Sequence, residues 1–267
     1  MSSQAPHSRS SRNTPAAFTL VDLLVMLAVL AVSVTLLSPV LARTQPNSKS
    51  FQCLNNHRQL YRAWRMYADD NNDWLLCASS NVKWVNGDMS VGTDTTNINL
   101  LLSSRLKSYL GDNYKVYKCP GDTTTYLGNP RVRSVSMNGF IGQNFWASQY
   151  NAFLKLSQMT RPGPVNTFVT LDECAGLTDG FFYELMAGYD PQNPSQFALG
   201  DVPAAYHNTA GSFSFADGHS ELHKWRDTRT VATGQQSPVP SSTPSPDNPD
   251  VDWLMSKATY KITGGTR

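Results

Sequence analysis

The sequence predicts an α+β fold: a long N-terminal helix, membrane-spanning in its first half and amphipathic in its second, packed on an antiparallel β-sheet domain. Three observations lead there. Phe18–Ala42 is an apolar run of 25 residues with one charge, Asp22. After a short polar break, SFQCLNNHRQLYRAWRMYADD repeats apolar residues at helical spacing. From about residue 71 the pattern changes to short apolar runs broken by Gly, Pro, Asn and Asp, the pattern of strands and turns.

Residues 1–17 are polar and carry Arg9 and Arg12 with no acidic residue. At about 1.5 Å per residue the following apolar run covers roughly 37 Å, more than the bilayer core of about 30 Å. Flanking arginines predict a cytoplasmic N-terminus, with the rest of the chain across the membrane. A cleaved secretory signal, ending at Val40-Leu41-Ala42, and a plain signal anchor are the competing readings. Neither explains Asp22, whose charge inside an apolar run calls for a partner. Pro39 lacks an N–H and predicts a kink. In the second helix, over 47–70, Cys53, Leu60, Trp64 and Tyr67 form an apolar stripe that Leu54, Tyr61 and Ala68 widen, with Arg58, Arg62 and Arg65 on the polar side.

In the domain that follows, Lys83–Val85, Tyr114–Tyr117, Val132–Met137, Thr167–Leu171 and Gly180–Leu185 read as strands, and Asn99–Leu110 as a helix ended by Gly111. The clearest hairpin is Gly211–Trp225, turned by Asp217-Gly218, because Gly accepts positive φ. Gly234–Asp250 is Pro/Ser-rich and predicts an extended, solvated linker. Val251–Lys257 is a short apolar-faced segment that either docks back on the domain or contacts a neighbour. The divisions are therefore 1–17, 18–42, 43–233 and a tail at 234–267.

With 22 basic and 20 acidic residues there is no bias toward nucleic acid. The four cysteines, Cys53, Cys77, Cys119 and Cys174, form no CxxC pair. Three disulfide connectivities and buried free thiols all remain open. His207, Asp217, His219, Glu221 and His223 are residue types that ligate zinc or move protons, set against a turn role for Asp217, a hydrogen bond from His207 that closes the hairpin, and a solvated strand face. Asp69, Asn71 and Asp73 have the one-three-five oxygen spacing of a calcium loop, but Trp74 and Ser80 stand where an EF-hand needs Gly and Glu, so a helix-end turn is the better reading. Asp172 and Glu173 follow a strand-like run and offer a carboxylate pair for catalysis, set against the better reading that strand-end carboxylates are solvated. No nucleophile elbow, P-loop or dinucleotide fingerprint is present, and no enzymatic activity or cofactor is expected.

Ala17-Phe18-Thr19-Leu20-Val21-Asp22-Leu23-Leu24 resembles the processing site of type IV prepilins and pseudopilins, with Ala17 in place of the usual Gly and Asp22 in place of the usual Glu. Further segments resemble a large bacterial group of such proteins: Cys53–Leu60 with Met66–Asp73, Cys119-Pro120-Gly121-Asp122, Arg133–Gly139, and a His-x9-Asp-Gly signature met by His207 and Asp217-Gly218. The resemblance implies cleavage by a prepilin peptidase between Ala17 and Phe18, N-methylation of Phe18, and pairing of Asp22 with the amine of a neighbouring subunit. It implies a structural subunit of a pilus or secretion pseudopilus, single-pass in the inner membrane with its C-terminal domain periplasmic until assembly. Its partners would be the peptidase, inner-membrane assembly machinery, lipid and other pilin-like subunits. Some major pseudopilins bind calcium in a C-terminal loop, so calcium joins zinc as a metal candidate. Cys53 and Cys119 are a candidate disulfide. The alternative function is a membrane-tethered extracytoplasmic module that binds glycan or metal and never polymerises.

Overall fold

The computed structural model describes residues 20–43, 48–78, 83–90, 92–142, 149–175, 179–183, 189–235 and 242–262, with the helical backbone alone over 34–43. The chain divides into two compact units, residues 1–45 and 46–267.

The first unit contains helix α1, Leu20–Arg43. Its aliphatic side chains are exposed all along the described part, from Leu20 at 75 % to Val32 at 57 %. Asp22 lies in the first turn, where the unsatisfied N–H groups of a helix start favour a carboxylate. The expected membrane span is corrected here. No helix among the described residues is long and apolar enough to cross a membrane. The single-pass inner-membrane placement and the transmembrane half of the predicted helix fall with it. The single long helix is also replaced by α1 and a separate α2, Lys49–Asp70, in the second unit. Ala17 and Phe18 lie outside the described residues.

The second unit is α+β. Ser48 caps α2 by accepting from Phe51 N–H at 3.2 Å, and the helix buries Cys53, His57, Leu60, Ala63, Trp64 and Ala68 at helical spacing. Next come α3 (Ile98–Leu102), α4 (Lys107–Leu110), strands β1 (Thr125–Tyr126), β2 (Asn129–Pro130), β3 (Val135–Asn138), β4 (Phe168–Asp172), β5 (Phe181–Phe182), β6 (Ala198–Leu199), β7 (Ala210–Phe215) and β8 (Ser220–Lys224). Helix α5 (Thr228–Thr233), strand β9 (Thr243–Pro244) and helix α6 (Pro249–Ala258) complete it. A five-stranded sheet has the order β5-β3-β4-β7-β8, and every pairing is antiparallel except β3 with β5. The predicted antiparallel sheet is thus a mixed one, closed at one edge by a two-residue parallel strand.

Local differences have local causes. Asn99–Leu110 breaks into α3 and α4, because Ser103 caps the first piece and its hydroxyl donates back to Leu100 O at 3.1 Å. Gly111 ends α4 at φ +62. Tyr114–Tyr117 is a 3-10 turn, not a strand; it buries Val116 and Tyr117, and the Tyr117 hydroxyl meets Ser104 Oγ at 2.9 Å. Lys83–Val85 makes a single bridge, Cys77 to Lys83.

Both faces of β7 are covered, so all six of its residues are buried. Thr170 and Ser214 pair across β4 and β7, and Thr170 also meets His57 of α2. A register shift between Phe168 and Thr170 then turns Phe168 to the other side, where it meets Phe213 edge-on at 5.6 Å between ring centroids. That side is covered by α6. Trp253 packs edge-on against Phe213 at 5.2 Å, and Leu254 and Met255 join the same core. Part of the segment expected as solvated linker belongs to the fold: β9 pairs with β6, and Ser245, Asn248 and Asp250 are buried. Asp250 accepts from the Arg226 and Asp227 N–H groups at 3.0 Å and so ties α6 to the end of β8.

Docking of α6 is therefore a stability element. Leu254→Ala is expected to lower unfolding free energy by about 2–5 kcal/mol, as for other buried leucines, measured by urea denaturation of the full chain.

Candidate functional site

Four segments converge beneath the start of α2. Cys53 points from the first turns of that helix. Cys119 follows the 3-10 turn, Asp172 ends β4, and His207 precedes β7. Their ligand-type atoms all lie within 4.8 Å of one another, and all four residues are buried. The Cys53 thiol donates to Asp172 Oδ2 at 3.0 Å. Cys119 Sγ and His207 Nε2 are 3.0 Å apart, and that nitrogen lies 3.8 Å from Asp172 Oδ2.

A second ring of groups fixes the first. Ser50 Oγ meets His207 Nδ1 at 3.2 Å. Gly121 N–H donates to Cys119 Sγ at 3.3 Å, and Cys119 N–H donates to Ser134 Oγ at 2.7 Å. His57 Nδ1 meets Thr170 Oγ1 at 2.8 Å, while its Nε2 stands 3.4 Å from Asp172 Oδ1 without hydrogen-bond geometry. A cavity of about 630 Å³ opens between α2 and the loop after the 3-10 turn, and Gln52, Asn56, Lys118 and Cys119 help line it.

The electrostatics follow from burial. Burial pushes the Cys53 thiol well up, and the neighbouring Cys119 and Asp172 add to it. Burial likewise raises Cys119 and lowers His207. Burial also works against charge on Asp172, but the facing His57, the Cys53 thiol and His207 together hold this carboxyl below the usual range. The resulting state is two thiols, a neutral imidazole and a carboxylate. Such a Cys119–His207 pair lacks the lowered thiol pKa and the access that an activated nucleophile needs. Its donor set suits a soft divalent metal.

Behind Asp172 lies a second polar group. Successive strand residues face opposite sides, so Glu173 points away from the Cys–His cluster. Its carboxyl accepts from Ser136 Oγ at 2.5 Å; burial raises it, with Asp201 and Asp179 adding to the effect. Burial also lifts Asp179 to about 6 and lowers Arg133 to about 10. Arg131 pairs with Asp122 at 2.5 Å and donates to Glu173 O at 3.1 Å and Tyr206 Oη at 2.7 Å. The expectation that Asp172 and Glu173 are solvated is reversed, since both are buried.

The sequence-derived candidates separate. His207 joins the cluster, but Asp217 does not. Asp217 Oδ1 accepts from the His219 N–H at 3.1 Å and meets the ring Nδ1 at 2.6 Å, within the turn. Gly218 has φ +98, and a Cβ there would come within 2.8 Å of the Tyr61 ring, which accounts for the Gly. His219 stacks on Phe215 and His223 on Trp253, so these two histidines are packing partners, while Glu221 between them is exposed. Asp69 pairs with Arg65, Asp70 accepts from Tyr109 Oη, and Asp73 accepts from Ser157 N–H, so the acidic run diverges instead of enclosing an ion. Cys53 and Cys119, the candidate disulfide, do meet, as free thiols. His57 and Asp172 were missed as site residues. Position 57 fills the helical stripe between Cys53 and Leu60, and that spacing was the available signal.

No family model, curated protein or solved structure matches the chain.

Two measurements test these environments. Arg131→Met strands Asp122 as a buried, unpaired charge and is expected to cost about 3–5 kcal/mol in urea denaturation. His223 is held down to about 4 by burial against an ordinary value of 6.5. The unfolded chain takes up this proton first, so its contribution to stability is intact above about pH 6.5 and is lost as pH falls toward 4. His223→Phe should show a shallower fall in stability across that window than the native chain.

Proposed function

We propose that the chain is a processed structural subunit of a pilin-like filament, matured between Ala17 and Phe18 and assembled through α1. One observation carries this reading. Over the described side chains, 20–33, helix α1 is apolar on every side apart from Asp22 near its start and Ser33: Leu20, Leu23, Leu24, Met26, Leu27 and Leu30 are each at least 52 % exposed. A helix that is apolar all round is stable where it is covered all round. Copies of the same helix, packed side by side, supply that cover. The prepilin-like motif at Ala17–Leu24 lies at the head of this helix and supports the same reading. The buried cluster beneath α2 then serves the body of the subunit.

A binding module that takes metal and does not polymerise is the second reading, and the Cys53–Cys119–Asp172–His207 group favours it. The two differ in whether α1 matters. Co-expression of the full chain with a prepilin peptidase should yield a mature N-terminus at methylated Phe18 by mass spectrometry. Cross-linking should yield a ladder of homo-oligomers that Leu27→Asp abolishes. An intact chain, a cut after Ala42, or oligomerisation indifferent to Leu27→Asp would overturn the filament reading.

A further inference from the structure

We propose that Cys53, Cys119, Asp172 and His207 form a closed tetrahedral site for zinc, which clamps α2 to the sheet. The inference is independent of the filament reading, since it concerns the second unit alone.

The donor set is the first argument. Two thiol sulfurs, one imidazole nitrogen and one carboxylate oxygen come from four separate segments to one point. Zinc takes such ligands at about 2.3 Å for sulfur and about 2.0–2.2 Å for nitrogen and oxygen, so neighbouring ligand atoms of a tetrahedron stand roughly 3.3–3.8 Å apart. Of the six separations, Cys53 with Asp172 is 3.0 Å, Cys119 with His207 is 3.0 Å and His207 with Asp172 is 3.8 Å, and all six are within 4.8 Å. Expansion by a few tenths of an ångström admits the ion.

The surroundings are the second argument. A ligating histidine needs its other ring nitrogen held, and Ser50 Oγ lies 3.2 Å from Nδ1. That bond leaves Nε2 facing the sulfurs. A ligating carboxylate needs its outer oxygen supported, and His57 Nε2 stands 3.4 Å from Asp172 Oδ1, with both atoms buried and outside any hydrogen bond. A small movement joins them. The Gly121 N–H aimed at Cys119 Sγ is the kind of donor that stabilises a thiolate. The cavity bordered by Cys119 provides an entry path.

Four protein ligands leave no open position, so the site is structural and not hydrolytic. On binding, each thiol releases its proton to water as its sulfur–zinc bond forms. Asp172 binds as carboxylate and His207 as neutral imidazole, and no electrons are transferred. A Cys53–Cys119 disulfide is the competing fate of the same sulfurs, so the test keeps them reduced.

The full chain is purified with a phosphine reductant, shown to hold four free thiols, and titrated with Co2+ and then Zn2+. The expected result is one Co2+ per chain with the strong visible bands of a tetrahedral ion and a thiolate-to-cobalt charge-transfer band, both bleached by stoichiometric Zn2+. Cys119→Ser should lose the charge-transfer intensity from one thiolate, whereas Cys77→Ser should leave the spectrum unchanged. Because a ligand variant can fail to fold, Ser50→Ala provides the second arm: it touches the metal only through His207 and should weaken binding about 10–100-fold. Zinc should also raise the melting temperature of the native chain and not that of Cys119→Ser. Weak octahedral cobalt bands in the fully reduced chain, or a charge-transfer band that survives Cys119→Ser undiminished, would overturn the proposal.

Discussion

The seating of α2 on β4, β7 and β8 is the constraint on which the body of this protein depends. A sheet face can be covered by apolar side chains alone, but this one is covered in two chemistries. Toward the C-terminal end of α2, Leu60, Trp64 and Ala68 pack as ordinary core. Toward its start, Cys53 and His57 enter a polar patch made by Thr170, Ser214 and Asp172. Polar groups removed from water cost free energy unless each finds a partner. The register of α2 on the sheet is therefore narrowly specified, because a turn of the helix in either direction would strand several of them.

β4 and β3 supply most of those partners. At the end of β4, Asp172 and Glu173 send one carboxyl to each side of the sheet. Against burial, the neighbours of Asp172, His57 first, hold it below the usual carboxylate range, while burial raises Glu173 well above that range. Every residue of β3 is buried, and its polar members have defined work. Ser136 donates to Glu173, and Asn138 donates to Phe168 O and Ala258 O, both at 2.9 Å, linking the sheet to α6. Just before β3, Ser134 accepts from the Cys119 N–H and Arg133 donates to Gly87 O at 2.7 Å. The elements Cys119–Asp122 and Arg133–Gly139, distant in sequence, are thus two halves of one buried polar network. Replacing a member removes a partner from another buried group, so such networks tolerate little change.

The opposite face is simpler and is closed by the tail. Trp253 meets Phe213, Trp225 and His223. The chain after β8 crosses a Pro/Ser-rich stretch before α6 returns to the core. Proline and serine content in that stretch describes backbone preference, and says little about where the following apolar residues go.

The sequence by itself determined the α+β character of the second unit, the amphipathic α2, the hairpin of β7 and β8, and the turn at Asp217-Gly218. Each is a local property: helical spacing, two-residue alternation, or a glycine at positive φ. It also marked His207, Cys53 and Cys119 and paired the two cysteines with each other, but joined His207 to the wrong companions. His207 was grouped with Asp217 through their shared motif and with the histidines of β8 through nearness in sequence, whereas its ring lies with Cys119 and Asp172, which are 88 and 35 positions away. Those contacts, the burial of Asp172 and Glu173, the edge strand β5 and the docking of α6 were decided by tertiary structure alone. Their energies arise only when segments far apart in the chain exclude water together. The long membrane-crossing helix illustrates the reverse error. Apolar composition over Phe18–Ala42 predicted a span, while no helix among the described residues is long and apolar enough to cross a membrane. Hydrophobicity along a chain states that cover is needed and leaves open what provides it.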